Sequence, residues 1–383
     1  MSAGMNAADR PILLATGGTG GHVFPAQALA GALIDAGHRI ALITDRRATA
    51  MDGPLQHADA YRVNAAGISG RNILRKIAAV ARLGIGYFQA RDIIRRIDPK
   101  VVVGFGSYAS VPAMAAAIRL HHATVIHEQN AILGRANRFL ASRVTRIATA
   151  FKTVGNMQDE NRDKVVWTGN PVRPDIVSIA SKPYPAIEEG GEVRLLVFGG
   201  SLGATVFSEV VPKSLAALPE TLRNRIRVVQ QCRKADLDEA QALYRQCGIE
   251  AEIAPFFDDL PDRLATAHLV ICRSGASTIA ELTAAGRPAI LVPYPHATDD
   301  HQTRNAEGLC DAGGGWLIPQ QAFNVESLGT RLTTLLADTR ALRTAAMCAG
   351  RIGVRDATAK LAHVVTGLLS PNESTGAARE VGQ

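Results

Sequence analysis

The chain reads as a doubly wound α/β protein of two domains. Three observations predict this. Short apolar runs alternate with helix-like stretches almost throughout. Four of those runs end in glycine-bearing turns that open a helix, two in each half of the chain. A proline-marked break, Gly169-Asn170-Pro171-Val172-Arg173-Pro174, extended by Ser181-Lys182-Pro183-Tyr184-Pro185, separates the halves. A length of 383 residues also exceeds one ordinary core and suits two, with a ligand cleft between them.

The first strand, 12–15, runs into Thr16-Gly17-Gly18-Thr19-Gly20-Gly21-His22 and then a helix over 23–36. A strand that ends in glycines and feeds a helix presents several backbone N–H groups at one point, which attracts phosphate. One such turn also serves plain strand-to-helix packing, so the repetition decides the reading. Val101-Val102-Val103-Gly104 leads into Phe105-Gly106-Ser107-Tyr108. Val193 to Phe198 leads into Gly199-Gly200-Ser201-Leu202-Gly203-Ala204, and Leu269 to Cys272 into Arg273-Ser274-Gly275-Ala276-Ser277-Thr278. The remaining strands are expected at 40–44, 61–64, 124–127, 146–149 and 165–168, then 225–229, 251–254, 289–292 and 315–318. The stretch 328–369 is helical in pattern, and Ser370-Pro371-Asn372 ends it.

Composition narrows the class. Five cysteines form no C-x-x-C pair and fit reduced thiols in a cytosolic protein. No apolar run is long enough to span a bilayer, so neither secretion nor membrane crossing is expected. The net charge of +7 concentrates between Arg71 and Lys100, where Arg75, Lys76, Arg82, Arg91, Arg95 and Arg96 interleave with Ile73, Leu74, Ile77, Val80, Ile85, Tyr87 and Phe88. This is a basic amphipathic helix. Its apolar residues either pack on their own sheet or meet an anionic membrane surface. Nucleic acid is excluded as a partner for want of any of its usual motifs.

Two ligand classes suit such turns. A nicotinamide-dependent oxidoreductase would place Asp45 on a ribose, but the paired glycines of the first turn do not follow G-x-G-x-x-G spacing. The other reading is a protein that handles phosphates from two sides. His127-Glu128-Gln129-Asn130, Gly169-Asn170-Pro171-Val172-Arg173, the turn 199–204, Ser274-Gly275-Ala276-Ser277-Thr278-Ile279-Ala280-Glu281 and His301-Gln302-Thr303-Arg304-Asn305-Ala306 occur in one order with the turn 16–22. Together they closely resemble the MurG family of inverting GT-B glycosyltransferases over nearly the whole chain.

The resemblance implies GlcNAc transfer from UDP-GlcNAc to the C4 hydroxyl of MurNAc on a polyprenyl-diphosphate peptide carrier, lipid I, giving lipid II. It implies an acceptor and membrane-facing domain over 1–170, a UDP-GlcNAc domain over 171–350, a C-terminal helix 352–369 returning to the first domain, and a disordered tail 370–383. Ser201 and Arg173 would hold the diphosphate, Glu281 the ribose hydroxyls, and Ala276, Ser277 and Thr278 the nucleotide. Phe257 would contact uracil, while Gln302 and Asn130 would bind the sugar, with Thr19, Gly20 and Gly21 also at the donor. Gly18, Gly106, Ser107 and Tyr108 belong to acceptor loops. His22 would be the catalytic base, with Glu128 its rival; an imidazole titrating near ~6.5 suits that work. Each has a plain structural alternative: Asn130 could cap a helix over 131–141, Arg173 could be a linker charge, and His127 reads as structural. No metal-ligand cluster appears and no cofactor is expected, apart from a loosely held Mg²⁺. The expected place is the cytoplasmic face of the bacterial inner membrane, with other cell-wall synthesis proteins as further partners. A UDP-GlcNAc epimerase is the neighbouring alternative.

Overall fold

Four-residue strands as apolar as Ile12-Leu13-Leu14-Ala15 are stable only when both of their faces are covered, which parallel sheets flanked by helices achieve. The computed structural model describes residues 10–17, 20–45, 53–65, 73–200 and 203–369. Its contacts divide the chain into two units, Met1–Arg173 with Asp356–Gln383, and Pro174–Arg355.

The first unit runs β1 (Ile12–Ala15), α1 (Gly20–Asp35), β2 (Ile40–Thr44), β3 (Asp59–Arg62), α2 (Ile73–Ile97), β4 (Val101–Gly104), α3 (Ser107–Arg119), β5 (Ala123–Glu128), α4 (Arg135–Leu140), β6 (Arg146–Thr149) and β7 (Val165–Trp167). All pairings are parallel, in the order β3-β2-β1-β4-β5-β6-β7. Side chains alternate across the sheet with period two. Leu13, Ala15, Ile43, Val102 and Ile126 therefore pack with Ala90, Ile94 and Ala113 of α2 and α3. Ile12, Leu14, Leu42 and Val103 pack on the opposite face with Leu29 and Leu33 of α1. That second face is completed by Leu361, Val365 and Leu369 from the C-terminal segment.

The second unit holds α5 (Pro174–Ile179), β8 (Val193–Phe198), α6 (Thr205–Ala216), α7 (Glu220–Arg223), β9 (Ile226–Gln231), α8 (Leu237–Gln246), β10 (Glu250–Ala254), α9 (Leu260–Thr266), β11 (Leu269–Cys272), α10 (Ala276–Ala285), β12 (Ala289–Leu291), α11 (His301–Asp311), β13 (Gly315–Leu317), α12 (Val325–Ala337) and α13 (Thr339–Ile352). Its parallel sheet has the order β10-β9-β8-β11-β12-β13. The stretch 328–369 is broken where Asp338 turns and caps α13 through the Arg340 N–H, and again before α14 (Ala357–Thr366). The segment 370–383 lies outside the described residues.

In both sheets the strand order reverses between two neighbours, β1 and β4 in the first and β8 and β11 in the second. Ligands of open α/β sheets bind at such switch points, beyond the carboxyl ends of the strands. The four glycine turns of the sequence follow these four strands. The switch points are therefore the candidate sites.

Candidate active site

At the first switch point the chain is built around close approach. A Cβ on Gly17 would lie 2.6 Å from that of Ala109, so this glycine lets the first turn press on α3. Gly106, at φ 77°, turns the chain into α3, and Ser107 follows it at φ 59°. A Cβ at Gly106 would meet Asn137, the His22 ring and Gln129 at 3.4–3.7 Å. Gly20 and Gly21 open α1, and Tyr108 lies in the first turn of α3. Gly18 and Thr19 fall outside the described residues.

His22 is partly buried, and its Nδ1 lies 2.8 Å from the Phe105 carbonyl oxygen and 3.1 Å from Oε1 of Gln129. The rest of the His127-Glu128-Gln129-Asn130 motif forms the floor. His127 is wholly buried, and its Nε2 meets the Gly169 carbonyl at 3.1 Å. Burial holds its imidazole down at about 4, so it is neutral at physiological pH. It is structural, as its place in the strand suggested.

Glu128 has a different task from the one set out as His22's rival. Its Oε1 accepts from the Asn130 backbone N–H at 2.9 Å and from Asn130 Nδ2 at 3.2 Å. Its Oε2 accepts from the Gly134 N–H at 2.8 Å and from Asn137 Nδ2 at 2.9 Å. A carboxylate that accepts these four bonds organises the loop 129–134. Asn130 is likewise not a helix cap, because α4 begins at Arg135 behind Gly134. Glu128 pulls the Asn130 loop into a turn before the helix can start. Arg173 ends this unit, with its guanidinium 5.2 Å from the centre of the Phe24 ring on α1.

At the second switch point, Gly200 and Gly203 have φ of 83° and 67°, and a Cβ on Gly203 would lie 2.6 Å from Cγ of Arg233. Only glycine fits there. Ser201 lies outside the described residues. Ala276, Ser277 and Thr278 form the first turn of α10, whose cap, Gly275, has no side chain to offer. The N–H groups of that turn lack helical acceptors and stand ready for an anion or a nucleotide. Glu281 is one turn further along, on the same face as Thr278 and largely buried.

Gln302 stands at the start of α11, where its Oε1 accepts from the Tyr294 N–H at 2.9 Å. That bond directs the amide nitrogen away from Tyr294. Asp299 and Asp300 enter α11 with φ of 55° and 51°, a strained pair that the sequence did not single out. Arg273 was also missed. It donates to the carbonyls of Val292 and Pro293 at 3.0 and 3.1 Å and to Oε1 of Gln320 at 2.6 Å. It thereby ties the turn after β11 to the segment that carries Tyr294. An arginine directly after a buried strand was the available signal.

Phe257 requires a correction. Its ring is 8% exposed and lies under the Arg263 guanidinium at 4.0 Å, whereas Phe256 is 66% exposed. Arg263 is itself held by both carboxylate oxygens of Glu252 and by Asp259, all at 2.7 Å. Phe257 anchors the loop, and Phe256 carries the exposed ring. Among the described residues, no group of three or more His, Cys, Asp or Glu side chains gathers as metal ligands.

Comparison with known proteins decides the family. Residues 12–149 match the glycosyltransferase family 28 N-terminal domain and residues 194–361 its C-terminal domain. A UDP-N-acetylglucosamine–N-acetylmuramyl-(pentapeptide) pyrophosphoryl-undecaprenol N-acetylglucosamine transferase of Paramagnetospirillum magneticum is 53% identical over 95% of this chain and 98% of its own. The chain belongs to the MurG family of glycosyltransferases.

A same-named MurG-family relative from Rhodospirillum centenum is 51% identical over 93% of this chain and 94% of its own. The crystal structure of Acinetobacter baumannii MurG superimposes with a TM-score of 0.76 at 29% identity, covering 94% of this chain and 99% of that one. The two sheets are thus the paired domains of a GT-B enzyme. A UDP-GlcNAc 2-epimerase from Neisseria meningitidis shares the fold at TM-score 0.64 but only 14% identity.

Proposed function

We propose that this chain transfers GlcNAc from UDP-GlcNAc to the C4 hydroxyl of MurNAc in lipid I, forming lipid II for peptidoglycan. The observation that carries this is identity of 53% across 95% of the chain with an enzyme named for that transfer. In this reading the second unit binds the nucleotide. Glu281 accepts the ribose hydroxyls, the α10 N-terminus and Ser201 take the diphosphate, and Phe256 and the backbone beside Phe257 meet uracil. Gln302 and Asn130 recognise the sugar through their amide groups. In the first unit, the glycine turns with Gly18, Gly106, Ser107 and Tyr108 face the acceptor, whose own diphosphate needs N–H donors.

The chemistry is a single inverting displacement. The acceptor oxygen bonds to the anomeric carbon while the bond to the UDP oxygen breaks, and the pair of electrons leaves on the β-phosphate. His22 accepts the hydroxyl proton at Nε2, since Nδ1 is turned to two carbonyl-type oxygens. Arg173 and the N–H donors offset the charge of the departing UDP, with no cofactor in the reading and Mg²⁺ at most loosely held.

Membrane attachment belongs to the same proposal. On α2, Ile77, Val80, Ile85 and Phe88 are each more than half exposed and recur at helical spacing along one side. Tyr87 packs inward instead, and the side chains of Ile73, Leu74, Arg75 and Lys76 lie outside the described residues. An apolar face bordered by Arg82 and Arg95 suits peripheral binding to anionic lipid. No described helix is long and apolar enough to cross a membrane. The five cysteines are unpaired, in keeping with the cytoplasmic side of the bacterial plasma membrane, where other cell-wall synthesis proteins are natural partners. The test is UDP release from UDP-GlcNAc with and without a lipid I analogue. Release only in its presence is expected; release without acceptor, or appearance of an epimerised UDP-sugar, would overturn the reading.

A further inference from the structure

The side chain between His22 and His127 has a geometry that the displacement alone does not explain. Nε2 of Gln129 lies 3.1 Å from three acceptors: the carbonyl oxygens of Phe105 and His127, and Nδ1 of the His127 ring. An atom facing two carbonyl oxygens must be a donor, so the amide orientation is determined. Oε1 then faces Nδ1 of His22. An amide oxygen has no proton to give, and neither has the Phe105 carbonyl, the second partner of that nitrogen. The His22 proton therefore sits on Nδ1.

The far end obeys the same logic. Nε2 of His127 faces the Gly169 carbonyl and must donate, so Nδ1 of His127 turns a lone pair to the Gln129 amide nitrogen. Donation runs in one sense, from His22 through Gln129 and His127 to the Gly169 carbonyl, and the role of each facing atom is fixed. Burial keeps His127 neutral, which preserves that lone pair.

We propose that Gln129 is a positioning residue that holds His22 in the tautomer with its proton on Nδ1 and its lone pair on Nε2, the nitrogen that takes the acceptor's proton. The proposal rests on His22 as the base, but the tautomer can be read without turnover. When the hydroxyl proton arrives at Nε2, the ring becomes an imidazolium whose Nδ1–H is already bonded to two oxygens. The ring need not rotate during the step.

The test uses the full chain with ¹⁵N-labelled histidine. Long-range ¹H–¹⁵N spectra separate the two neutral tautomers, and His22→Gln identifies which of the ten histidine signals is His22. Wild type should show the proton on Nδ1. Gln129→Met should populate the other tautomer in part, since Phe105 still accepts from Nδ1, and lower kcat by about 10–10²-fold, less than the ~10⁴ seen when a triad histidine is held in the wrong tautomer. UDP-GlcNAc affinity should stay within about twofold, since the donor contacts are untouched. Gln129→Glu keeps an acceptor toward His22 and should retain the tautomer and turn over faster than Gln129→Met. A wild-type proton on Nε2 would overturn the proposal. So would wild-type kcat in Gln129→Met, or a loss of kcat matched by loss of UDP-GlcNAc affinity. Near-normal turnover of His22→Ala would instead overturn the base assignment, and with it the catalytic half of the proposal, even where the tautomer result stands.

Discussion

His127 makes the stability of the first unit depend on pH in a direction that can be worked out in advance. Burial lowers its folded-state pKa to about 4 from an unfolded value of 6.5. Between these values the unfolded chain binds more protons, so stability is full above pH 6.5 and is lost as the pH falls toward 4. The whole shift corresponds to about 3 kcal/mol, of which roughly 2 kcal/mol is lost between pH 7 and pH 5. The perturbation is therefore acidification, with His127→Gln as the control that removes the titrating group while keeping an N–H for Gly169. Urea unfolding at pH 7 and pH 5 measures it. The chain has two tryptophans, Trp167 on β7 and Trp316 on β13, so Trp316→Phe leaves a fluorophore that reports the first unit alone. His127→Gln should be less stable than the parent at pH 7 and should lose about 2 kcal/mol less on going to pH 5. Equal losses in parent and variant would refute the argument.

Glu281→Ala should weaken UDP and UDP-GlcNAc alike, by about 1.5–3 kcal/mol, because a charged hydrogen bond to ribose is removed; calorimetry with both ligands checks this. Gln302→Ala should weaken UDP-GlcNAc and spare UDP, and equal losses would remove it from the sugar site. Arg287, buried and bonded to the carbonyls of Leu264, Ala265, Ala285 and Gly286, closes the C-terminal ends of α9 and α10. Arg287→Leu should cost about 3 kcal/mol or more by leaving those oxygens unpaired, read as a lower urea midpoint of Trp316 fluorescence. Replacing Ile85 and Phe88 by glutamate should release the protein from anionic vesicles and slow turnover on a long-chain acceptor, while turnover on a short-chain soluble acceptor survives. Co-sedimentation unchanged by these substitutions and by salt would rule out α2 as the membrane face.

Local chemistry was legible from the residues alone. Turns such as Gly199-Gly200 and Gly104-Phe105-Gly106 announce themselves because a positive φ or a close backbone approach admits little besides glycine, and that demand is written at the position itself. Strands as apolar as 12–15 and 269–272 announced a parallel sheet for the same reason, and the motifs between them carried the family. The strand order was not local: that the turns after β1 and β4, and after β8 and β11, lie side by side depends on parallel pairing between segments far apart in the chain. Tertiary packing also decided which of two like neighbours does what. Asn130 could cap a helix on paper, but Glu128 draws its N–H into a loop and moves the helix start to Arg135. Phe256 and Phe257 are the same side chain in sequence, and only the Arg263 clamp buries one and leaves the other open. The tautomer of His22 belongs to the same class. An imidazole has two nitrogens of similar basicity, and which one keeps its proton is set by oxygens that Phe105 and Gln129 bring from distant parts of the chain.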